Sequence, residues 1–252
     1  MGPINTRHIS GSGTPESAWG KSFATHRVPQ CTVLELLADS KAVHILAPHP
    51  DDEILACGGI IQQLAQMDVF VQIVAVTDGE ASHPGSSCWS PRLLAGARTA
   101  ESELATRMLA PQANRIRLGL KDGHVAAEEE RLTERLGELV DENDVIIVPW
   151  RMDGHPDHEA VARAGYKTSQ LRLCRLLEVP IWGWHWADPE GHAFPWHRAV
   201  SIALTLEERH KKEQAIRFFR TQIESDPDTG REAVLPHFAL ERFRRPFEVV
   251  LR

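Results

Sequence analysis

Short strand-like segments alternate with longer amphipathic segments along most of this chain of 252 residues. Four segments have the length and composition of strands, and they are residues 43–47, 70–76, 114–118 and 144–149. A helical pattern follows each of them, at residues 54–61, 92–109, 128–141 and 157–176. Strands and helices that alternate at these lengths predict a mainly parallel sheet with helices on both faces. We therefore expect an α/β fold, a Rossmann-like three-layer sandwich, with any site at the carboxyl ends of its strands.

The two ends of the chain lack this alternation. Residues 1–30 are rich in Gly, Ser, Thr and Pro without a hydrophobic period, which predicts an irregular N-terminal arm. Residues 31–252 are expected to form one domain, in which Thr32 is a suitable N-cap for a short helix. The pattern changes after Val179, and residues 179–252 are expected to cover the pocket. The elements predicted there are strands at 180–186, 199–204 and 247–251 and a charged helix at 206–220.

Composition narrows the class of protein. Apolar residues make up 42% of the chain and charged residues 25%, which is ordinary for a globular protein. The net charge of −7 argues against nucleic acid as a partner. No apolar stretch approaches the ~18 residues of an integral membrane segment, and no signal-peptide pattern is present. The four cysteines show no paired spacing, so a cytoplasmic location is expected. A homo-oligomer is compatible with all of this.

A polar cluster directly follows the first predicted strand. It reads His49-Pro50-Asp51-Asp52-Glu53 and precedes a helical pattern. His49 and Asp52 are three residues apart, so a tight turn can direct both side chains at one point. An imidazole nitrogen and a carboxylate oxygen are ligands that zinc accepts. Aspartates at a helix start also serve as caps, but one Asp would be enough for that purpose.

A second cluster follows the strand at 144–149 and repeats this placement. It reads His155-Pro156-Asp157-His158 and again precedes a helical pattern. If the two strands are neighbours, His158 joins His49 and Asp52 as a third metal ligand. Three protein ligands and one open position are typical of a catalytic zinc site. Iron or another divalent ion also suits this ligand set.

These residues resemble a known family. His49-Pro50-Asp51-Asp52-Glu53, then Thr77-Asp78-Gly79-Glu80, then His155-Pro156-Asp157-His158 are similar in order and spacing to the LmbE/PIG-L family of zinc-dependent N-acetylglucosaminyl deacetylases. The resemblance extends over about residues 43–222. It implies hydrolysis of an N-acetyl or other N-acyl amide on a small amino-sugar conjugate.

Within that family reading, the two adjacent aspartates are expected to differ in role. Asp51 cannot easily bind the same ion as Asp52, because neighbouring side chains diverge, so Asp51 is the expected general base. His155 is expected to face the substrate carbonyl as a protonated imidazole that stabilises the oxyanion.

The resemblance also assigns roles around the site. It makes Arg98 a sugar or phosphate contact and Asp122 an acid that binds a sugar hydroxyl. Asp78 and Glu80 are placed at the border of the site, where either would hold His49 or His158 through a hydrogen bond. Asp157 is expected as a supporting group or a helix cap. The alternatives are that Arg98 is a solvated helix charge and that Asp78 and Glu80 close a turn.

Two other classes of function remain open. One is another metal-dependent hydrolase, of the phosphoesterase or lactonase type, although the chain has no His-x-His-x-Asp-His run. The other is a non-catalytic sugar-binding relative, against which the presence of Asp51 argues. No Gly-x-Gly-x-x-Gly follows the first strand, so a dinucleotide site is not indicated. The tryptophans between residues 182 and 196 fit core packing or stacking on a sugar ring.

Overall fold

The computed structural model describes residues 7, 9–67 and 69–252. Within these residues, seven strands form one sheet in the order β3-β2-β1-β4-β5-β7-β6. The strands are β1 (Ala42–Ala47), β2 (Phe70–Thr77), β3 (Asn114–Leu120), β4 (Val145–Pro149), β5 (Arg175–Val179), β6 (Ala199–Ala203) and β7 (Phe247–Leu251). β1 to β5 are parallel, and β7 is antiparallel to both of its neighbours. The predicted fold class, a mainly parallel α/β sheet, is confirmed.

Helices cover both faces of the sheet. They are α1 (Glu16–His26), α2 (Val33–Leu37), α3 (Asp52–Leu64), α4 (Pro91–Leu109), α5 (Glu129–Leu139), α6 (Pro156–Arg172), α7 (Gly183–Trp186), α8 (Leu206–Ile216), α9 (Arg220–Ile223) and α10 (His237–Leu240). Successive strand residues point to opposite faces, so Ile45 packs in one core cluster and Leu46 in the other. The first cluster includes Leu55 of α3, and the second includes Leu132 of α5. The result is three layers, as the alternating pattern predicts.

The sheet order places the two polar clusters together. β1 lies between β2 and β4, and Ile45 is paired with Ile147. Successive strands are added on one side of β1, as β2 and then β3, and on the opposite side from β4 to β5. The crevice between β1 and β4 is therefore a topological switch point, where open α/β sheets bind ligands at their carboxyl ends.

The N-terminal arm is more ordered than expected. Thr32 caps α2 with a complete capping box, in agreement with the sequence. The prediction of an irregular arm is wrong for Glu16–His26, which forms α1 with a fully buried Trp19. The Trp19 indole donates to the carbonyl of Trp184 at 2.8 Å and packs edge-on against that ring. A short polar helix gains its stability from such tertiary packing, so its own sequence gives a weak signal. The part of the prediction that covers residues 1–6 and 8 lies outside the described residues.

The region after α6 also departs from the prediction. α6 ends at Arg172, because Leu173 adopts a left-handed conformation, and Arg175–Val179 forms β5 instead of extending the helix. The strand expected at 180–186 is a turn followed by α7. Its alternating tryptophans suggested a strand, whereas Trp184 and Trp186 pack with the core, where Trp186 stacks on Trp150. The helix expected at 206–220 ends at Ile216. No helix within the described ranges is long and apolar enough to cross a membrane.

Candidate metal centre and active site

Three ligand atoms from the two clusters converge between β1 and β4. Nδ1 of His49 lies 3.3 Å from Oδ2 of Asp52, and Nε2 of His158 lies 3.2 Å from the same oxygen. The two ring nitrogens are 3.3 Å apart. The three atoms therefore form a nearly equilateral triangle, and all three residues are buried.

The size of this triangle fits a small divalent ion. Zinc bonds to nitrogen and oxygen are about 2.0–2.2 Å long, so the ligands of a tetrahedral site lie about 3.3 Å apart. A triangle of this size leaves one tetrahedral position open. The structure thus brings together the three residues that the sequence suggests as metal ligands.

The electrostatics of the triangle also favour a cation. Burial lowers the pKa of His158, but the charges of Asp52 and Asp153 outweigh it and raise that pKa to about 9. Burial also lowers the pKa of His49, but hydrogen bonds to nearby carboxylates outweigh burial and raise that pKa well above its ordinary value. Burial raises the pKa of Asp52, yet the adjacent imidazoles hold it far below its usual range. The cluster therefore stabilises positive charge strongly enough to hold protons in the absence of an ion.

A buried aspartate orients His158. Oδ2 of Asp153 lies 2.8 Å from Nδ1 of His158, which leaves Nε2 facing the triangle. The same carboxylate accepts backbone N–H groups from Ile181, Trp182 and Gly183 at 2.8–2.9 Å. A carboxylate on the outer nitrogen of a histidine fixes its tautomer and increases its basicity as a ligand. Asp153 therefore connects the metal triangle to the turn between β5 and α7.

The outer nitrogen of His49 faces two carboxylates. Nε2 lies 3.1 Å from Oδ1 of Asp122 and 3.3 Å from Oδ2 of Asp157. The Asp157 carboxylate also accepts the N–H groups of Gly123 and Val125 at 2.7 and 3.1 Å. Because they face the ring nitrogen of His49 that is not part of the triangle, we regard these carboxylates as supports of His49 and not as a separate ligand set.

Asp51 occupies a strained position beside the triangle. Its φ of 134° and ψ of −33° are uncommon for a residue with a side chain and cost about 1–3 kcal/mol. Oε2 of Glu53 accepts its backbone N–H at 3.1 Å. Burial raises the pKa of Asp51 to about 8, although the charge of Arg98 opposes this. The surroundings thus hold the Asp51 carboxylate near the ligands without making it one of them.

Arg98 lies in this wall and is bonded to protein groups. Its Nη1 donates to the carbonyl of Gly79 at 2.9 Å, and its Nη2 donates to Pro50 at 2.8 Å and to Asp51 at 3.1 Å. Gly79 has a φ of +68°, and a Cβ there would lie 2.1 Å from Nη1. Arg98 is buried, so it is not a solvated helix charge. Through these hydrogen bonds, Arg98 holds the turn that contains Asp51.

His155 caps the helix that carries His158. Its Nδ1 accepts the backbone N–H of Asp157 at 3.3 Å, so the proton of the neutral ring is on Nε2. Burial, followed by the charges of His158 and His49, lowers the pKa of His155 to about 3. The expectation of a protonated His155 at neutral pH is therefore wrong, because positive neighbours disfavour a second charge. Ring nitrogens of His49, His155 and His158 lie within 4.8 Å of one another, so His155 still faces the centre.

Two acids of the expected border do not hold the histidines. Asp78 forms an ion pair with Arg117, with Nη2 and Oδ2 2.7 Å apart. Glu80 accepts the backbone N–H of Asp122 at 3.0 Å. The strand ends of β2 and β3 are adjacent, so these acids are satisfied by β3 and its exit loop, and their predicted hydrogen bonds to His49 or His158 are absent from the described structure.

The remaining predicted site residue combines two environments. Asp122 lines the cavity, while its Oδ2 accepts the N–H of Ala81 at 2.9 Å and its Oδ1 faces His49. Asp122 therefore supports His49 from the cavity wall. The prediction that Asp122 binds a sugar hydroxyl did not include this contact with His49.

Sequence reasoning missed Asp153 and Glu53 as parts of the site. Both are almost fully buried carboxylates, and both lie in the segments that carry the histidines. Their positions in or beside the two clusters were a signal, but each residue also has a partner that is far away in sequence. Asp153 bonds the turn at 181–183, and Glu53 accepts from Ser102 of α4.

The centre lies at the floor of an open cavity of about 300 Å³. His49, Asp51, Asp52 and Leu55 belong to its floor, and His155 and Asp122 belong to its wall. The rim includes Ser82 from the loop after β2, and Trp182 and Leu235 from the region after β5 that was expected to cover the pocket. These features define an α/β protein with a candidate histidine–carboxylate metal site in an open cavity.

Comparison with known proteins gives the family. A family model described as PIG-L, GlcNAc-PI de-N-acetylase, matches residues 44–169. This match covers half of the chain, so the chain belongs to the PIG-L family, as its motifs indicate. A search of curated protein sequences returns no match.

Solved structures share the fold. A conserved protein from Thermus thermophilus is 24% identical with a TM-score of 0.55, over 72% of this chain and 80% of that one. N,N'-diacetylchitobiose deacetylase from Pyrococcus horikoshii is 23% identical with a TM-score of 0.54, over 84% and 80%. A deacetylase from teicoplanin biosynthesis is 16% identical with a TM-score of 0.58, over 83% and 97%. At these identities the likeness establishes a shared fold.

Proposed function

We propose that this protein is a metal-dependent N-deacetylase that hydrolyses the N-acetyl amide of an amino-sugar conjugate. The observation that carries the proposal is the ligand triangle of His49, Asp52 and His158 with the unligated carboxylate of Asp51 beside it. Membership of the PIG-L family supports the reaction class. The named deacetylases among the similar structures support it further.

The donor set suits zinc, and iron(II) is a second candidate, because two imidazoles and one carboxylate are not strongly selective. A divalent ion held there would act as a Lewis acid, polarising the acyl oxygen and lowering the pKa of a water. Asp153 and Asp157 hold the imidazoles so that Nε2 of His158 and Nδ1 of His49 face the triangle.

Asp51 is the proposed general base. It is buried at the cavity floor, and its neighbour Asp52 occupies the triangle. In its ionised form it takes the proton from the attacking water, a role typically worth ~10²–10⁴-fold in rate. Positive charge at the triangle favours that ionised form over the protonated one. Arg98 and Glu53 hold the strained turn, so the carboxylate is oriented before substrate binds.

His155 is the proposed donor to the oxyanion. Its Nδ1 is committed to the N–H of Asp157, so Nε2–H is available to the cavity. A neutral imidazole donates this hydrogen bond without a change in protonation. The interaction strengthens as negative charge develops on the acyl oxygen, so it acts on the transition state.

The test is hydrolysis by metal-loaded protein of N-acetylglucosamine and N,N'-diacetylchitobiose. Release of free amine and acetate in equal amounts is expected, and a chelator should abolish it. Asp51→Asn protein with a normal metal content is the matched control and should be nearly inactive. Equal activity of the Asp51→Asn variant and the parent, or hydrolysis of phosphate esters without amide hydrolysis, would overturn the proposal.

A further inference from the structure

A second cavity of about 380 Å³ adjoins the cavity of the metal centre. The two cavities share Trp182 and Val234, which lie at the rim and not at the floor. The rest of the second cavity is formed by residues 9–12 and 232–239, with His185 behind them. We call this space the outer cavity. It is an extension of the space in which the substrate would bind.

Apolar side chains form about half of the surface of the outer cavity, and polar groups of residues 10–12, His185 and Glu232 form the rest. Phe238 is 36% exposed and Val234 is 37% exposed, and Trp182 lines both cavities together with Val234. Ligand pockets are typically lined by apolar and aromatic side chains with few polar groups. Exposed apolar residues that surround the mouth of a catalytic cavity are therefore better explained by a ligand than by chance exposure.

The charges around the outer cavity disfavour an anion. Glu232 contributes a carboxylate, and no lysine or arginine lines the cavity in the part of the chain that the structure describes. Arg242 lies behind the wall, where its Nη2 donates to the carbonyls of Ser12 and Thr14. The guanidinium of Arg98 in the inner cavity is bonded to two carbonyls and to Asp51. The terminal nitrogens of Arg98 and Nη2 of Arg242 are therefore engaged by groups of the protein.

The position of the two cavities selects which part of the substrate reaches the outer one. The amide must lie at the floor, beside Asp51 and Asp52, where Leu55 provides an apolar surface for an acetyl methyl group. The outer cavity contains none of these floor residues. The outer cavity is therefore available to a part of the substrate that extends away from these floor residues.

We propose that the outer cavity is a subsite for an uncharged, apolar or aromatic aglycone on the amino sugar. This inference rests on the proposed deacetylase function and specifies its substrate class. All residues that line the outer cavity lie outside the matched range 44–169. The subsite is thus built by parts of this chain that the family model does not cover.

The test compares three substrates of the metal-loaded protein: N-acetylglucosamine, its phenyl β-glycoside and its 1-phosphate. The phenyl glycoside should have a kcat/KM higher than the free sugar by roughly tenfold, the scale expected from burying part of a phenyl ring. The 1-phosphate should show no gain. Equal kcat/KM values for the free sugar and the phenyl glycoside, or a preference for the phosphate, would overturn the subsite.

Variants locate the effect. Phe238→Ala should remove most of the advantage of the phenyl glycoside through KM while the free sugar changes less than about twofold, and Phe238→Leu should restore part of it. Phe70→Ala is the matched control, because Phe70 is 50% exposed at the start of β2, at the end of the strand opposite to the metal centre. Glu232→Lys should raise kcat/KM for the 1-phosphate. Equal losses with both sugars in Phe238→Ala would contradict the proposal.

A fourth substrate, N-hexanoylglucosamine, distinguishes binding of the aglycone in the outer cavity from binding of a long acyl chain there. If that substrate, and not the phenyl glycoside, gains from Phe238, the outer cavity binds the acyl group and the proposal is wrong. If no substrate releases amine, the deacetylase function fails, and calorimetric binding of the phenyl glycoside still decides the subsite. Weaker binding in Phe238→Ala than in Phe70→Ala would then support it, whereas unchanged binding would refute it.

Discussion

The carboxyl ends of β1 and β4 carry the same tripeptide, His-Pro-Asp, and use its residues differently. After β1, the histidine is the ligand candidate, and the helix begins three positions later at Asp52. After β4, the helix begins at once with Pro156, and the histidine becomes its N-cap. His158, three positions further on, then supplies the ligand atom.

The difference lies in where the helix starts relative to the tripeptide. A later start after β1 leaves Asp51 outside the helix at a φ of 134°, free to act on substrate. An earlier start after β4 commits the backbone of Asp157 to the helix and leaves its carboxylate to support His49. Identical residues thus acquire different chemistry from the backbone geometry around them. The predictions below test that division of roles, from the largest expected effect to the smallest.

The first cluster should separate ligand from base. Asp52→Asn should bind little metal and show no measurable activity, because the triangle loses its charged ligand. Asp51→Asn should keep about one metal ion per chain yet lose ~10²–10⁴-fold in kcat. Elemental analysis and steady-state kinetics on the same preparations check this. Comparable metal loss in both variants would mean that the roles of the two aspartates are assigned wrongly.

The second cluster should separate ligand from oxyanion donor. His158→Ala should lose the metal, whereas His155→Ala should keep it and lose ~10²–10³-fold in kcat, as expected for one oxyanion donor. Since burial and positive neighbours lower the pKa of His155 to about 3, its deprotonation should produce no alkaline limb in the pH–rate profile. Loss of the metal from His155→Ala would reverse the assignment.

Asp153 should act through His158. Asp153→Asn should weaken metal affinity by about 10–100-fold, the typical cost of losing a carboxylate behind a metal-bound histidine. Titration with a competing chelator measures the affinity. Asp78→Asn is the matched control, because the Asp78 carboxylate pairs with Arg117 and not with a ligand, and its metal affinity should stay within about twofold of the parent. A matching loss in both variants would indicate general destabilisation instead.

Metal binding should release protons. Without the ion, His158 has a pKa raised to about 9 and His49 has a raised pKa as well, so both hold protons at pH 7 that coordination must displace. Affinity should therefore rise as pH increases toward 9. At pH 7 the two imidazoles should release close to two protons per ion, and Asp51, whose pKa is raised to about 8, should add up to one more as the ion favours its ionised form. Calorimetry in buffers of different ionisation enthalpy counts them. Since His155 is neutral, His155→Ala should release the same number, and zero release would contradict the ligand assignment.

Much of the fold followed from local pattern. The buried strands β1, β2 and β4 are nearly continuous apolar runs, and each is followed by a helical period, so the parallel sheet and its carboxyl edge were predictable. The positions of His49, Asp52 and His158 at two strand ends were equally local. Their convergence required only that β1 and β4 be neighbours, as they are.

Other features depended on contacts between residues far apart in sequence. α1 is stable because Trp19 is buried against Trp184, and the turn at 181–183 is fixed by the Asp153 carboxylate. Arg98 became a support of Asp51 only because α4 passes beside the β1 turn.

By itself, the sequence determined which residue types stand at the two strand ends and therefore that a metal site was to be expected there. The tertiary structure decided which nitrogen of each histidine faces the site, which carboxylates hold those rings, and which charge His155 carries. The physical reason is that strand and helix patterns are set by neighbours along the chain, whereas hydrogen-bond partners and pKa values depend on groups brought together only by folding.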